Sequence, residues 1–506
     1  MVTDPRGQPS EFEDARLART LDGASSRTAA AKAGAWSGVD LISRQAVTLI
    51  VSIILARLLT PSDFGAVAIA AFFSMFLIGL VQSGFATAVI QRHEASDRDA
   101  SSIFWWNMIA SIVAASLLVA VRLAVARFFA LPILAALMLA AAAQVVLTGA
   151  GAVHAALLAR ELKFAAIAKA GIPAAGLSGA VGVTLAYCGG GVWALAGQLV
   201  SAAALNSVGL WLVSGWRPKL VLRSEGLPDA LHFARWISLS AGLEVLYTQG
   251  AALMLGKLYG SRDLGLYTRA YATQQVPAGA INGIIGRVVL PLMTRRQRDL
   301  EAMRRGLLTA NRIAMLLTLP ALVGLALTSD LAIRVLYGEQ WLRASPVLAI
   351  LALAGAFYPL HANNLQLLLA GGRSRTFFAV ETAKKVVGLL SVVIGSWFGI
   401  IGLAWSSLSF SVIALLINCW PSQHYFRCGV IAQIADLRGI IAAAVAMAAS
   451  VVAVRQLLHA APDIELAVCV LVGTAVYGAA GLLLRVDAYR EAVDIFKSLT
   501  KAQRRR

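Results

Sequence analysis

An all-α polytopic membrane protein of about fourteen transmembrane helices is the fold class that this sequence predicts. Three observations predict it. Hydrophobic residues make up 59% of the 506-residue chain, with a mean hydropathy of +0.74, more apolar than a water-soluble domain can cover with polar surface. Apolar stretches of roughly 20 residues, the length that crosses a bilayer, recur along the whole chain. And one polar turn between two such stretches occurs twice. Leu55-Ala56-Arg57-Leu58-Leu59-Thr60-Pro61-Ser62-Asp63-Phe64-Gly65 is followed much later by Leu255-Gly256-Lys257-Leu258-Tyr259-Gly260-Ser261-Arg262-Asp263-Leu264-Gly265. Arg57 aligns with Lys257, Asp63 with Asp263, and Gly65 with Gly265, without a gap. Trp36 and Trp236 match upstream at the same offset. A repeated helix–turn–helix predicts two homologous halves.

The spans read as approximately 37–58, 64–87, 103–121, 132–153, 168–187, 191–213, 236–256, 268–291, 306–327, 345–368, 377–397, 399–420, 438–456 and 464–484. Two further pieces, 122–131 and 329–343, read as amphipathic helices at the interface. The division expected is a tail over 1–34, an N-lobe of six helices over 35–215 and a linker over 216–235. A C-lobe of six helices over 236–421, two appended helices over 422–484 and a basic tail over 485–506 follow. Residues 1–34 lack the apolar core of a signal peptide, so the first span is expected to be retained.

The net charge of +18 would suggest a nucleic-acid partner in a soluble protein. Here the cations sit between spans and report topology, so no nucleic acid is expected. Arg160 and Lys163, then Arg217, Lys219 and Arg223, then Arg295, Arg296, Arg298, Arg304 and Arg305, then Arg373 and Arg375 occupy alternate connections. The positive-inside rule places these, and both termini, in the cytoplasm, with the repeated turns outside. Leu158-Ala159-Arg160-Glu161-Leu162-Lys163-Phe164 is loosely echoed by Leu369-Ala370-Gly371-Gly372-Arg373-Ser374-Arg375 before Phe377, again after the fourth span of a half. Halves of equal orientation are parallel repeats.

Ionisable residues inside spans carry the functional information, because each costs several kcal/mol unless it meets a partner or water. Arg44 lies about two turns into the first span, with Glu244 at the equivalent depth of the seventh. They could meet each other, or Arg44 could pair with Asp40 one turn back. Arg287 either lines the cytoplasmic mouth or snorkels to headgroups. The amides Gln45, Gln249, Gln274, Gln275, Asn282, Asn363, Asn364 and Gln366 either line a hydrated cavity or bond helices together. Gly176, Gly179 and Gly182 are expected to permit close helix packing, and Pro173, Pro277 and Pro320 to kink helices.

Signals for an enzyme are poor. Asp97-Arg98-Asp99 has the DxD spacing but stands in a short loop. Gly189-Gly190-Gly191 lacks the following P-loop lysine, and the six histidines form no HExxH. Cys188, Cys419, Cys428 and Cys469 are scattered and read as packing residues, with no metal site. No cofactor is expected.

The turn Ala56-Arg57-Leu58-Leu59-Thr60-Pro61-Ser62-Asp63-Phe64-Gly65 resembles the signature of the polysaccharide transporter family. So do Gly84-Phe85-Ala86-Thr87-Ala88-Val89-Ile90-Gln91-Arg92 and Tyr337-Gly338-Glu339-Gln340-Trp341. The resemblance is to the Wzx-type, colanic-acid-exporter-like group of the multidrug/oligosaccharidyl-lipid/polysaccharide exporter superfamily, and it runs from about Ala35 to the last span. It implies two six-helix lobes in a V with two extra helices, alternating access, and no covalent chemistry. It implies a bacterial cytoplasmic (inner) membrane location and a cargo carried between leaflets, an undecaprenyl-diphosphate-linked oligosaccharide for surface polysaccharide, lipopolysaccharide or exopolysaccharide. Membrane lipids, a polymerase and glycosyltransferases are the further partners. A proton or sodium gradient is the implied energy source, and no motif selects the ion. The rivals are a cation-coupled drug exporter or peptidoglycan-precursor flippase of the same superfamily, a membrane polymerase or ligase, and a scaffold that transports nothing.

Overall fold

The computed structural model describes residues 36–91, 96–224, 227–294 and 299–484. The two tails and Arg295, Arg296 and Arg298 lie outside the described residues. The described chain is helical, with no strand. Its elements are α1 (Trp36–Leu58), α2 (Pro61–Gln91), α3 (Asp97–Phe128), α4 (Leu134–Arg160), α5 (Phe164–Tyr187), α6 (Val192–Ser214) and α7 (Leu227–Thr294). There follow α8 (Leu300–Leu327), α9 (Ser329–Tyr337), a 3-10 turn η1 (Glu339–Ala344), α10 (Ser345–Gly355), α11 (Tyr358–Ala370), α12 (Ser374–Ser396), α13 (Gly399–Phe426), α14 (Val430–Asp436), α15 (Arg438–Leu457) and α16 (Pro462–Leu483).

Among the described residues, eleven of these segments are long and apolar enough to cross a membrane. Each coincides with a span read from the sequence. The other three sequence spans are helical too, as the two halves of α7 and as α12, but they carry more polar residues, including Glu244 in α7 and Glu381, Lys384 and Lys385 in α12. Two sequence readings are corrected. Residues 122–128 continue α3 rather than forming a separate interfacial helix; the helix stops at Phe128, with Ala130 at φ 51 turning the chain. The tenth span is broken between Gly355 and Tyr358, where Pro359 supplies no N–H to continue the first helix. The segment 329–343 does form a short helix of its own, α9, followed by η1.

Contacts group the described residues into two compact units. One comprises α1 up to Leu59 and Ile69–Thr248; the other comprises Thr60–Ala68 and the chain from Gln249 onward. In the first, α4 packs on α3 and α6, and α5 packs on α6. Small residues set the spacing: Gly179 faces Val51 of α1 and Gly182 faces Gln198 of α6, whereas Gly176 faces open space. In the second, α8 packs on α10, α11 and α15, α12 on α13, and α15 on α16.

Thr60–Gly65 of the first copy and the whole of the second copy lie in the second unit, and they pack on each other. In the first copy, Pro61 opens α2 where its missing N–H costs nothing, and the Asp63 carboxylate accepts from the Thr60 N–H at 2.9 Å and its hydroxyl at 2.7 Å. In the second copy, Gly260 breaks α7 at φ 81, ψ 178, a conformation that a side chain would resist. A Cβ on Gly65 would overlap the Ser261 carbonyl, and one on Gly265 would overlap the Pro61 carbonyl. The two repeat glycines thus let each turn approach the other's backbone reciprocally. Gly65→Ala is therefore expected to lower stability in detergent by about 1–3 kcal/mol or more, as an overpacked contact does. Gly250→Ala, whose added carbon meets nothing within 4 Å, should stay within about 0.5 kcal/mol. Thermal unfolding of the two proteins checks this; equal midpoints would contradict it.

Candidate functional site: charged and amide groups within the helices

In the first unit, Arg44 pairs with Asp40 on its own helix, at the i,i+4 spacing. Asp40 is buried, while the Arg44 side chain keeps 37% of its exposure. The guanidinium lies over Gly171 of α5, where a Cβ would come within 2.6 Å of Nη1. The missing side chain on α5 thus makes room for the arginine head. Of the two partners that the sequence leaves open for Arg44, Asp40 is the one it holds. Glu244 lies exposed on the first half of α7 in the same unit, and Gln45 is exposed on α1.

In the second unit the amides build a buried network. Asn363 Nδ2 donates to Asn311 Oδ1 at 3.0 Å, and Asn311 Nδ2 to Gln433 Oε1 at 3.0 Å. Asn364 Nδ2 donates to Gln433 Oε1 at 2.9 Å, and Gln433 Nε2 returns to Asn364 Oδ1 at 3.0 Å. The Ser422 hydroxyl donates to Asn364 Oδ1 at 2.6 Å, and Gln433 Nε2 also reaches the Cys428 carbonyl at 2.9 Å. The network ties α8, α11, α13 and α14 together at sites with no access to water. Of the two roles open to Asn363 and Asn364, these bonds are those of helix bonding. Gln274 is buried against Gly355, while Gln275 is exposed and donates to the Tyr271 hydroxyl at 2.7 Å. Gln249 is half-buried. The side chains of Asn282 and Arg287 lie outside the described ones.

Sequence reasoning missed three groups. Arg269, only 8% exposed, sits in an aromatic box whose ring centroids are 4.3 Å (Phe64), 5.2 Å (Tyr337) and 5.7 Å (Trp341) from its guanidinium carbon. Stacking a cation on rings is favourable, more so when water is excluded. Gly338, at φ 95, turns the chain so that Tyr337 and Trp341 both face the arginine, and the Tyr337 hydroxyl bonds Thr273 at 2.9 Å. The Tyr337-to-Trp341 motif was visible in the sequence, but its cationic partner was not. The second group is Lys384 with Glu381 at 2.5 Å, inside α12 and beside the half-buried His361 of α11. The third joins α8, α9, α15 and α16: Arg455 donates to the Leu327 carbonyl and to Asp330, both at 2.6 Å, with Glu465 at 3.6 Å. Among the described residues no cluster of His, Cys, Asp or Glu could hold a metal ion.

These features define a multi-span, all-helical membrane protein with charge and amides inside its bundles. Its fold is similar to that of the lipid II flippase MurJ in an inward closed conformation, with a TM-score of 0.71 at 15% identity, over 90% of this chain and 99% of that one. The chain belongs to the polysaccharide biosynthesis protein family, whose model matches residues 54–346. Relatives include the succinoglycan biosynthesis transport protein ExoT of Rhizobium meliloti (strain 1021), 28% identical over 320 residues, or 63% of this chain and 65% of ExoT. Another is the lipopolysaccharide biosynthesis protein WzxC of Escherichia coli (strain K12), 25% identical over 394 residues, or 76% of this chain and 78% of WzxC. The Wzx-type resemblance of the sequence motifs is thereby shown.

The amide network makes a specific prediction. Asn364→Ala strands Gln433 and Ser422 and should cost about 2–4 kcal/mol in unfolding free energy. The double variant Asn364→Leu with Gln433→Leu should cost less than the sum of its singles, because it removes both ends of the two bonds that join the pair. A double-mutant cycle on thermal or denaturant unfolding measures the difference.

Proposed function

We propose that the protein is a flippase that carries an undecaprenyl-diphosphate-linked oligosaccharide repeat unit from the inner to the outer leaflet of the cytoplasmic membrane, by alternating access. The observation that carries this reading is Arg44, a partly exposed cation kept inside a membrane span of a polysaccharide-biosynthesis family member. A bilayer tolerates such a charge where it serves a polar passenger. A diphosphate accepts two parallel N–H bonds from a guanidinium, which makes it a competitor for the bond that Asp40 now takes. Arrival of the cargo would then exchange one partner of Arg44 for another, and the released Asp40 carboxylate would have to take up a proton or water.

An apolar groove in the second unit supports a lipid-linked rather than a free sugar. It encloses about 500 Å³ between α8, α15 and α16, lined by side chains such as Leu316, Leu325, Val451, Leu466 and Val470. A polyprenyl tail matches such a surface in chemistry. The basic connections with Arg160, Lys163, Arg217, Lys219, Arg223, Arg373 and Arg375 favour the cytoplasm for their side and for both termini. A proton or sodium gradient is the energy source that fits. The relatives are transport and biosynthesis proteins, which favours a carrier over a polymerase or ligase.

In cells depleted of the protein, one complete repeat unit on undecaprenyl diphosphate should accumulate, protected from a membrane-impermeant glycosidase. Wild type should relieve the accumulation. Arg44→Ala should be about 10- to 100-fold less effective, the worth of one or two charge-assisted bonds. Arg44→Lys should fall between, since lysine keeps the charge but loses the planar fork. Complete units that reach the outer leaflet but stay unpolymerised would contradict the flippase reading and favour a polymerase.

A further inference from the structure

We infer that α14 is an interfacial anchor. It beds Ile431 and Ile434 into the leaflet on the side of the basic connections, with Arg427 and Arg438 on the phosphates of that leaflet's anionic lipids. The inference takes only the side of the membrane from the proposed function, and it stands on the two faces of one short helix, its depth and its charge.

Exposure over 431–440 follows a helical period. Ile431, Ile434, Ala435 and Arg438 are exposed, whereas Gln433, Leu437 and Ile440 are buried. Spacings of three and four put each set on one face of a helix. Leu437 keeps a right-handed helical conformation, so both faces carry over into α15. The inner face is fully used. Gln433 exchanges bonds with Asn364 and accepts from Asn311, and Asp436 accepts from Arg312 at 2.8 Å. Leu437 and Ile440 pack in one core with Met315 and Leu415. The outer face has no such cover: Ile431 is 82% exposed and Ile434 46%. Water disfavours two large apolar side chains on one stripe, and acyl chains favour them.

Depth decides between water and lipid. α13 and α15 are candidate spans, and α14 joins the end of one at Phe426 to the start of the other at Arg438. The end of α11 lies at the same level, since a Cβ on Gly371, just past it, would come within 2.7 Å of the Phe426 ring. Asn364, to which Gln433 bonds, lies about 9 Å short of that end. α14 therefore sits beside the ends of its neighbours, where headgroups meet acyl chains, and not below them in water. Trp420 on α13, 68% exposed, marks the same level, because indoles concentrate there.

Charge selects the lipids. Arg427 and Arg438 flank α14 and are exposed, and among the described residues neither guanidinium has a protein partner. The carboxylate between them, Asp436, is held by Arg312. Arg438 shares the stripe of Ile431 and Ile434, and its long stem reaches headgroups from the edge of the hydrocarbon. Two such cations beside an apolar stripe match a surface that is apolar within and anionic at its rim. The contact also bears on the bundle. The same helix turns Gln433 and Asp436 inward, so a leaflet that seats the outer face helps to hold the amide network closed.

The test uses the full chain in phosphatidylglycerol vesicles, with a spin label on Ile431→Cys or Ile434→Cys and the exposed native thiol removed as Cys188→Ser. Collisions with oxygen, which enters hydrocarbon, and with a water-soluble nickel chelate report what covers each position. Oxygen should dominate at both. Dominance of the chelate would place the face in water and overturn the anchor. Protection from both would place another part of the chain, or another protein, on the face, and would overturn the leaflet as its occupant. For the cations, phosphatidylglycerol and phosphatidylcholine compete for the purified protein in native mass spectrometry. Wild type should prefer phosphatidylglycerol, and the double variant Arg427→Gln with Arg438→Gln should lose about 10- to 30-fold of that preference. An unchanged preference would overturn the assignment of anionic lipid to α14. No outcome depends on whether the protein flips a lipid-linked sugar.

Discussion

Two glycines, Gly65 and Gly265, carry the contact on which the second unit is assembled. Each removes the one carbon that would hit the other turn's backbone, at Ser261 and Pro61. The contact is reciprocal because the sequence is repeated. Its consequence reaches past the turns themselves. With Thr60–Ala68 seated in the second unit, Phe64 stacks over Arg269 and edge-on to Trp341 at 5.3 Å. A short turn of the first half thereby completes an aromatic box whose other rings come from the α9–η1 corner. A buried cation that would be costly alone becomes a fixed point of packing.

The same physical demand recurs elsewhere. Inside a membrane protein, a polar group must find a partner, and each unit solves this with groups far apart in sequence. The Asn363–Asn311–Gln433–Asn364–Ser422 network closes on itself, with Gln433 and Asn364 exchanging bonds both ways. Arg312 and Asp436 close a neighbouring link at 2.8 Å. At another corner Arg455 ties the α8–α9 junction to Asp330 and reaches toward Glu465 at the start of α16. These are rigid supports. Arg44 differs: its partner Asp40 is on its own helix, so the pair can exchange partners without unlocking the bundle.

Much of this architecture was legible in the sequence, because it follows from local rules. Span length and hydropathy located the helices, and the repeated turn announced two homologous halves, whereas the reciprocal contact of its paired glycines appears only in the structure. The break between α10 and α11 was signalled by Pro359 yet hidden by continuous hydropathy. The outer boundary of α3 was misplaced because Arg122 and Arg127 resemble an interfacial helix, although the helix simply runs on to Phe128. The site was harder to read. An isolated amide looks the same whether it meets water or another amide, so Asn363 and Asn364 declared nothing until Gln433, about seventy positions away, came within reach. Arg269 was missed for the same reason, since its ring partners come from two segments far from it in sequence.

The measurement that tests the account most directly is flipping by the purified protein alone. Wild type and Arg44→Ala would be reconstituted into vesicles carrying a labelled undecaprenyl-diphosphate oligosaccharide, with an impermeant glycosidase reporting the exposed fraction over time. Wild type should expose the protected lipid well above protein-free vesicles, and Arg44→Ala should do so about 10- to 100-fold more slowly. Equal rates for wild type and Arg44→Ala, or a folded wild type that exposes none, would contradict it.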